Sequence, residues 1–265
     1  MDKELQHAHS LFMSGKKLEA YEILKDHLDT DDKEIRTDIG VLYRDGIGFK
    51  KDLGKAFDIL SDLFKELYGW AYHYLAEMYE LDEYGPKSYP DAYFVYFLGA
   101  IDCDDRICRV RYDDYNKNKE IMKQVIKDYE SRIKNKDIPI LLAILGTVYV
   151  NGYGVEKDRA KAYELAKRGA KLDDERCITL LANMYQNDGE YAFALKWYLK
   201  ANELGNEYVS KYIAEYYSGE YEAYKPFKDL KKALEYYNKY LEHHYDLEVM
   251  IKRDDVRQRL YFEYK

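Results

Sequence analysis

The chain has 265 residues, 47% of them hydrophobic and 35% charged, with a formal net charge of −8. That composition supports a sizeable folded core and excludes intrinsic disorder. The acidic balance argues against nucleic acid and anionic membranes, which recruit clustered Lys and Arg, and no apolar run of 18 residues is present to span a bilayer.

Met1-Asp2-Lys3-Glu4-Leu5-Gln6 lacks the apolar region of a secretory signal. Three cysteines, Cys103, Cys108 and Cys177, give an odd count without regular spacing. They are expected to be reduced, structural thiols in a cytoplasmic protein. A first helical hairpin is predicted to turn at Ser14-Gly15 and resume through Leu18 and Tyr21. The next segment reads Ile39-Gly40-Val41-Leu42-Tyr43, then Gly46-Ile47-Gly48-Phe49, Asp52 and Lys55-Ala56. Leu75-Ala76-Glu77-Met78-Tyr79 repeats its start 36 residues on, in a unit opening near Trp70. There the Gly-x-Gly turn gives way to a longer run from Leu81 to Pro90.

Residues 104–137 match no copy. They are predicted to hold a charged loop, Asp104-Asp105-Arg106, and one inserted helix from about Asn116 to Lys134. Ile121, Val125, Ile126, Tyr129 and Ile133 follow helical spacing there. Leu145-Gly146-Thr147-Val148-Tyr149, Gly152-Tyr153-Gly154-Val155, Asp158 and Lys161-Ala162 then restore the motif with identical spacing. Leu181-Ala182-Asn183-Met184-Tyr185 and Ile213-Ala214-Glu215-Tyr216-Tyr217 begin two weaker copies. A charged helix from about Leu247 to Phe262, within residues 245–265, is expected to cap the array.

A period in the thirties is that of helical solenoids. Leu145 and Tyr149 share one helix face, and Gly146 beside them lets a neighbouring helix approach. Gly within a helix costs about 1 kcal/mol against Ala, so packing must offset it. Gly152 and Gly154 end the helix through left-handed backbone, and Asp158 is placed to cap the next one. Ala162 and Ala166 form a small, close-packing stripe. Most of the 31 tyrosines are expected to wedge between helices.

The motif Leu-Gly-x-x-Tyr-x-x-Gly-x-Gly-Val/Phe-x-x-Asp-x-x-Lys-Ala resembles the Sel-one-like repeat, a relative of the tetratricopeptide repeat. The likeness is strongest over residues 35–68 and 139–173 and weaker over 174–206 and 208–242; the first unit resembles a tetratricopeptide repeat. The resemblance implies one all-α domain over residues 1–265, a right-handed superhelical α-solenoid of antiparallel helix–turn–helix repeats.

Chemical sites find little support in the sequence. Gly46-Ile47-Gly48 and Gly152-Tyr153-Gly154 match the opening of a dinucleotide fingerprint. Lys51 and Lys157 stand where its third glycine belongs, and no strand precedes either copy. His243-His244 would point about 100° apart on a helix, and no His-Glu-x-x-His or Cys-x-x-Cys occurs. No Gly-x-Ser-x-Gly marks a nucleophile. The expectation is therefore no catalytic, metal or cofactor site.

The resemblance implies that first helices line a concave groove. Motif matching places there Arg44, Trp70, His73, Glu77, Thr147, Arg176, Asn183, Gln186, Tyr208, Lys211 and Glu215, with Glu34, Thr37 and Val41 in the second unit. Their mixed character suits a peptide or protein partner. The function implied is a non-catalytic interaction scaffold or adaptor. The alternatives are an immunity-type inhibitor of one toxin or enzyme and, less favoured, a hydrolase. The oligomeric state is not legible.

Overall fold

The computed structural model describes residues 2–81 and 84–263. The chain forms two compact units, Met1–Asp128 and Tyr129–Lys265. Among the described residues every regular element is helical.

The first unit contains α1 (Lys3–Met13), α2 (Lys17–Leu24), α3 (Lys33–Asp45) and α4 (Leu53–Lys65). A 3-10 turn, Gly69–Ala71, then leads into α5 (Tyr72–Glu80), followed by α6 (Tyr89–Ile101) and α7 (Arg106–Lys117). Helix α8 (Lys119–Arg132) straddles the boundary. The second unit contains α9 (Pro139–Asn151), α10 (Arg159–Ala170), α11 (Glu175–Asn187) and α12 (Tyr191–Glu203). The turn Glu207–Val209 opens α13 (Ser210–Ser218), and α14 (Leu230–Leu241) and α15 (Leu247–Glu263) follow. Within each unit, successive helices pair, and each pair packs on the next in sequence order. This is a helical-repeat architecture, in which neighbours bury what no hairpin could bury alone.

The motif residues explain the pairing. A Cβ on Gly40 would press Ile59 and Leu60 of α4, and one on Gly146 would lie 2.6 Å from Leu180 of α11. These helices touch because the side chain is missing. Ala56, Ala162 and Ala166 are fully buried opposite them. Gly152 ends α9 with φ 77°, and Gly46 ends α3 with φ 69°. Asp52, Asp158 and Asp229 each accept a backbone N–H three residues on, capping α4, α10 and α14. The motif Lys has a partner that spacing did not disclose. Lys55 lies 5.1 Å from the centroid of Tyr43, and Lys161 4.3 Å from that of Tyr149. Each is a cation–π bond joining the two helices of a pair, a contact worth about 0.5–1 kcal/mol at exposed sites.

Tyrosines do wedge between helices. Tyr93, Tyr96, Tyr198, Tyr216 and Tyr237 are fully buried. Tyr93 donates to Asn116 at 2.8 Å, and Tyr198 donates to Asn183 at 2.5 Å, so these two buried rings keep a polar partner for their hydroxyls.

Residues 104–137 depart from expectation. They hold α7 as well as α8, and Asp105, predicted in a loop, caps α7 by accepting the Cys108 N–H at 2.6 Å. Helix α7 packs on α6 and α5, the place of a further repeat's first helix. Its buried Tyr115 falls 36 residues after Tyr79. The joint before it copies the joint before α11. Gly99 accepts the sulfur of Cys108 just as Gly169 accepts that of Cys177; a Cβ on either would collide with it. Asp104 and Asp173 share a left-handed φ of 50° and 54°. The N–H groups of Asp105 and Asp174 return to the carbonyls of Gly99 and Gly169. The Leu-Gly-x-x-Tyr core is lost here, reading Arg111-Tyr112-Asp113-Asp114-Tyr115, which hid the unit from self-comparison.

Helix α15 packs on α14 through buried Val249 and Val256. Residues 264–265 of the expected cap lie outside the described residues. Cys103, Cys108 and Cys177 are free.

Candidate functional site

The expected groove residues divide between the two units, Glu34, Thr37, Val41, Arg44, Trp70, His73 and Glu77 in the first and the other positions in the second, and His73 is structural.

In the first unit, α3 and α5 bring Arg44 and Glu77 together. The Arg44 guanidinium donates to Glu77 Oε2 at 2.6 Å and to Asp45 Oδ1 at 2.8 Å, and lies 5.3 Å from the Tyr74 ring centroid. Burial pulls its pKa down, but the two carboxylates outweigh this and the net shift is upward. Trp70 stands on the 3-10 turn before α5 and is 61% exposed. It rims a small cavity that also involves His9 and Met13 of α1, Glu34, Thr37 and Asp38 of α3, and Tyr68 and Tyr74. His73, expected in the groove, is buried instead. Its ring lies against Tyr74, centroids 3.8 Å apart, and its Nδ1 is 3.3 Å from Asp105 Oδ2 at the start of α7. It serves the packing of α5 on α7 and is not open to a partner. Val41 and Thr37 are buried as well, the Thr37 hydroxyl donating to the Lys33 carbonyl at 2.8 Å.

Asp38 is the residue that motif matching missed. It is 2% exposed and accepts from, or shares a proton with, His9 Nδ1 at 2.8 Å. Burial pushes its carboxyl up to about 7; His9 opposes the shift, and Glu34 and Asp32 add to it. The sequence does carry a signal. Asp38 precedes Ile39 at the position held by Tyr74, Ile144, Leu180 and Tyr212 in other units, and it is the charged residue among them.

In the second unit, Thr147 is half-buried on α9, and Arg176 is half-buried at the start of α11, 3.6 Å from Glu175. Tyr198 gathers Asn183 and Gln186, its hydroxyl donating to Asn183 Oδ1 at 2.5 Å and lying 3.1 Å from Gln186 Oε1. Tyr216 also donates to Gln186, at 3.3 Å. Tyr208 stands on the turn before α13 and is 50% exposed. Lys211 donates to the Tyr208 hydroxyl at 3.0 Å and lies 4.2, 5.2 and 5.4 Å from the ring centroids of Tyr208, Tyr240 and Tyr212. Burial lowers the Lys211 pKa, and the tyrosines outweigh it, leaving a net rise. Glu215 is tied to the last helix by Lys252 at 2.6 Å.

Among the described residues no group of three or more His, Cys, Asp or Glu is placed to hold a metal ion, and no helix is long and apolar enough to cross a membrane.

The Sel1 repeat family matches residues 37–61, 141–174, 179–206 and 213–239. Helices α5 to α8 fall in the gap between the first two matches. Comparison with curated protein sequences finds no match. Among solved structures, the chain is similar to a Sel1 repeat protein from Oxalobacter formigenes, at 17% identity and a TM-score of 0.42, over 93% of this chain and 86% of that one. It is similar to c5321, a protective antigen of uropathogenic Escherichia coli displaying an SLR fold, at 18% identity and a TM-score of 0.45. That match covers 97% of this chain and 56% of the antigen. It is also similar to the immunity protein Pa5087 from Pseudomonas aeruginosa, at 19% identity and a TM-score of 0.40, over 83% and 85% of the two chains. Sel1 repeats thus stand at four places in this chain, and those at 37–61 and 141–174 carry the glycine contact, the aspartate cap and the Tyr–Lys pair together.

Proposed function

We propose that the protein is a non-catalytic interaction scaffold that holds a peptide or protein partner against the first helices of its repeats. Repeats of the Sel1 kind generally mediate protein interactions. One observation carries the reading for this chain. Trp70 and Tyr208 occupy the same repeat position, five residues before Leu75 and Ile213, each on a 3-10 turn that opens a first helix. Both are at least half exposed. Large aromatic side chains left in water at equivalent points lead interface hot spots, because they bury much area at little entropic cost. Glu34 and Asp38 stand beside Trp70 and Lys211 beside Tyr208, which suits a polar rim.

Affinity purification of the tagged wild-type chain from its native cells, beside a Trp70→Ala/Tyr208→Ala double variant, tests the reading. The wild type is expected to recover one protein in near-stoichiometric amount, and the folded double variant to lose most of it. Recovery of no partner by the wild type, or equal recovery by both, overturns the proposal.

A further inference from the structure

Resting on that interaction reading, we propose that the cavity between α1, α3 and the turn before α5 takes the guanidinium end of an arginine from the partner. The cavity holds about 60 Å³. That is roughly the space of two water molecules, enough for the end group of one side chain and too little for a cofactor. Its walls are aromatic, from Tyr68, Trp70 and Tyr74, and its acids are Glu34 and the buried Asp38. A ring face attracts a cation through its quadrupole, and a carboxylate in a dry wall gains most from one.

Other end groups fit worse. A carboxylate or phosphate would meet Glu34 and Asp38 directly. An apolar plug would seal Asp38 away from water with His9 as its hydrogen-bond partner, at a desolvation cost nothing in the plug returns. Arginine is favoured over lysine because its flat, forked cation stacks on rings and bonds carboxylates at the same time. The chain already uses this chemistry next door, where Arg44 lies over Tyr74 and binds Glu77. Burial first, and then Glu34, Asp32 and Asp38, push the Tyr68 hydroxyl up to about 12.

The test uses N-acetyl-arginine amide, with N-acetyl-citrulline amide as its neutral isostere, followed by the indole N–H resonances of the two tryptophans, Trp70 and Trp197. Arginine amide is expected to shift the Trp70 resonance saturably and leave that of Trp197 in place. Citrulline amide is expected to bind at least several-fold more weakly, and Glu34→Gln to weaken the arginine response roughly 5- to 30-fold. Equal responses to arginine and citrulline, or none to either, overturn the inference. Selection of a random displayed peptide library then separates the two levels. Peptides sharing an arginine and lost on Trp70→Ala support both. Enriched peptides without arginine, indifferent to Trp70→Ala, sink the cavity proposal alone, and no enrichment on the wild type counts against the scaffold itself.

Discussion

Replacing Asp38 by Asn is expected to change how stability depends on pH. An ordinary aspartate titrates near 3.8, and burial lifts Asp38 to about 7. Between those values the folded protein keeps a proton that the unfolded chain releases. Stability contributed by protonated Asp38 is therefore complete below about pH 4 and is lost as pH rises toward 7. At about 1.4 kcal/mol for each tenfold change, the gap corresponds to about 4 kcal/mol. Relaxation around the ionised form and water entering the cavity reduce this, so about 2 kcal/mol is the working expectation. Urea denaturation at pH 4.5 and pH 8, followed by circular dichroism, isolates it, because other titrating groups cancel between wild type and D38N. The stability of D38N relative to wild type should rise by about 2 kcal/mol from the lower pH to the higher. His9→Ala, which removes a bond favouring the ionised form, should steepen the wild-type loss. A difference that is flat with pH, or that falls as pH rises, refutes the reasoning and makes Asp38 an ordinary stabilising ion-pair partner.

Four further outcomes follow from the geometry. Gly152→Ala forces a side chain onto a φ of 77° beside the Val155 carbonyl and is expected to cost about 1–2 kcal/mol. Gly54→Ala in the first turn of α4 meets little and should gain a few tenths up to about 1 kcal/mol; thermal melts with the opposite ranking would refute the capping account. In native protein at neutral pH, iodoacetamide should label half-buried Cys103 ahead of Cys108 and Cys177, whose thiols burial pushes far above their usual range; comparable labelling of Cys177 by peptide mass mapping would contradict its seat on Gly169. Asp105→Ala should cost about 1 kcal/mol, like Asp158→Ala, because each caps a repeat helix through its side chain; a negligible effect at Asp105 would return α7 to the status of a loose insert.

The repeat was legible because its constraints are local. A left-handed turn requires Gly, a helix start favours Asp, and close helices require Gly or Ala, so Gly46, Asp52 and Ala56 recur as Gly152, Asp158 and Ala162. The unit containing α7 was not legible, because its constraint lies across the joint. Gly99 and Cys108 fit each other in space, and neither is unusual alone. His73 lies inside for a similar reason. A position on the exposed face of one hairpin becomes interior when the next first helix, here α7 with Asp105, closes over it. The cavity was half legible. Glu34 and Trp70 fell on matched positions, whereas His9 and Met13 come from α1, which matching of the later units could not align.

Asp38 is where these two kinds of information meet. The α3–α4 hairpin otherwise agrees with the repeat, from its aspartate caps to its glycine turn, and one position in its apolar stripe carries an acid. A buried carboxylate that opposes folding above neutral pH is a conflict between local sequence and fold, and such conflicts concentrate at functional sites. Removing the conflict would take a single change to Asn or Leu, the latter the residue found at the matching position in α11. A bound cation removes it without mutation, by lowering the cost of ionising Asp38. The same side chain that weakens the free protein therefore strengthens the complex, and the two effects are linked by sign. A ligand that favours ionised Asp38 must bind more tightly as pH rises through its titration and must restore stability over the same range. Arginine amide binding that is flat from pH 5 to pH 8, alongside a D38N stability difference that changes as worked out above, would separate Asp38 from the ligand and leave the cavity's aromatic walls as its whole recognition surface.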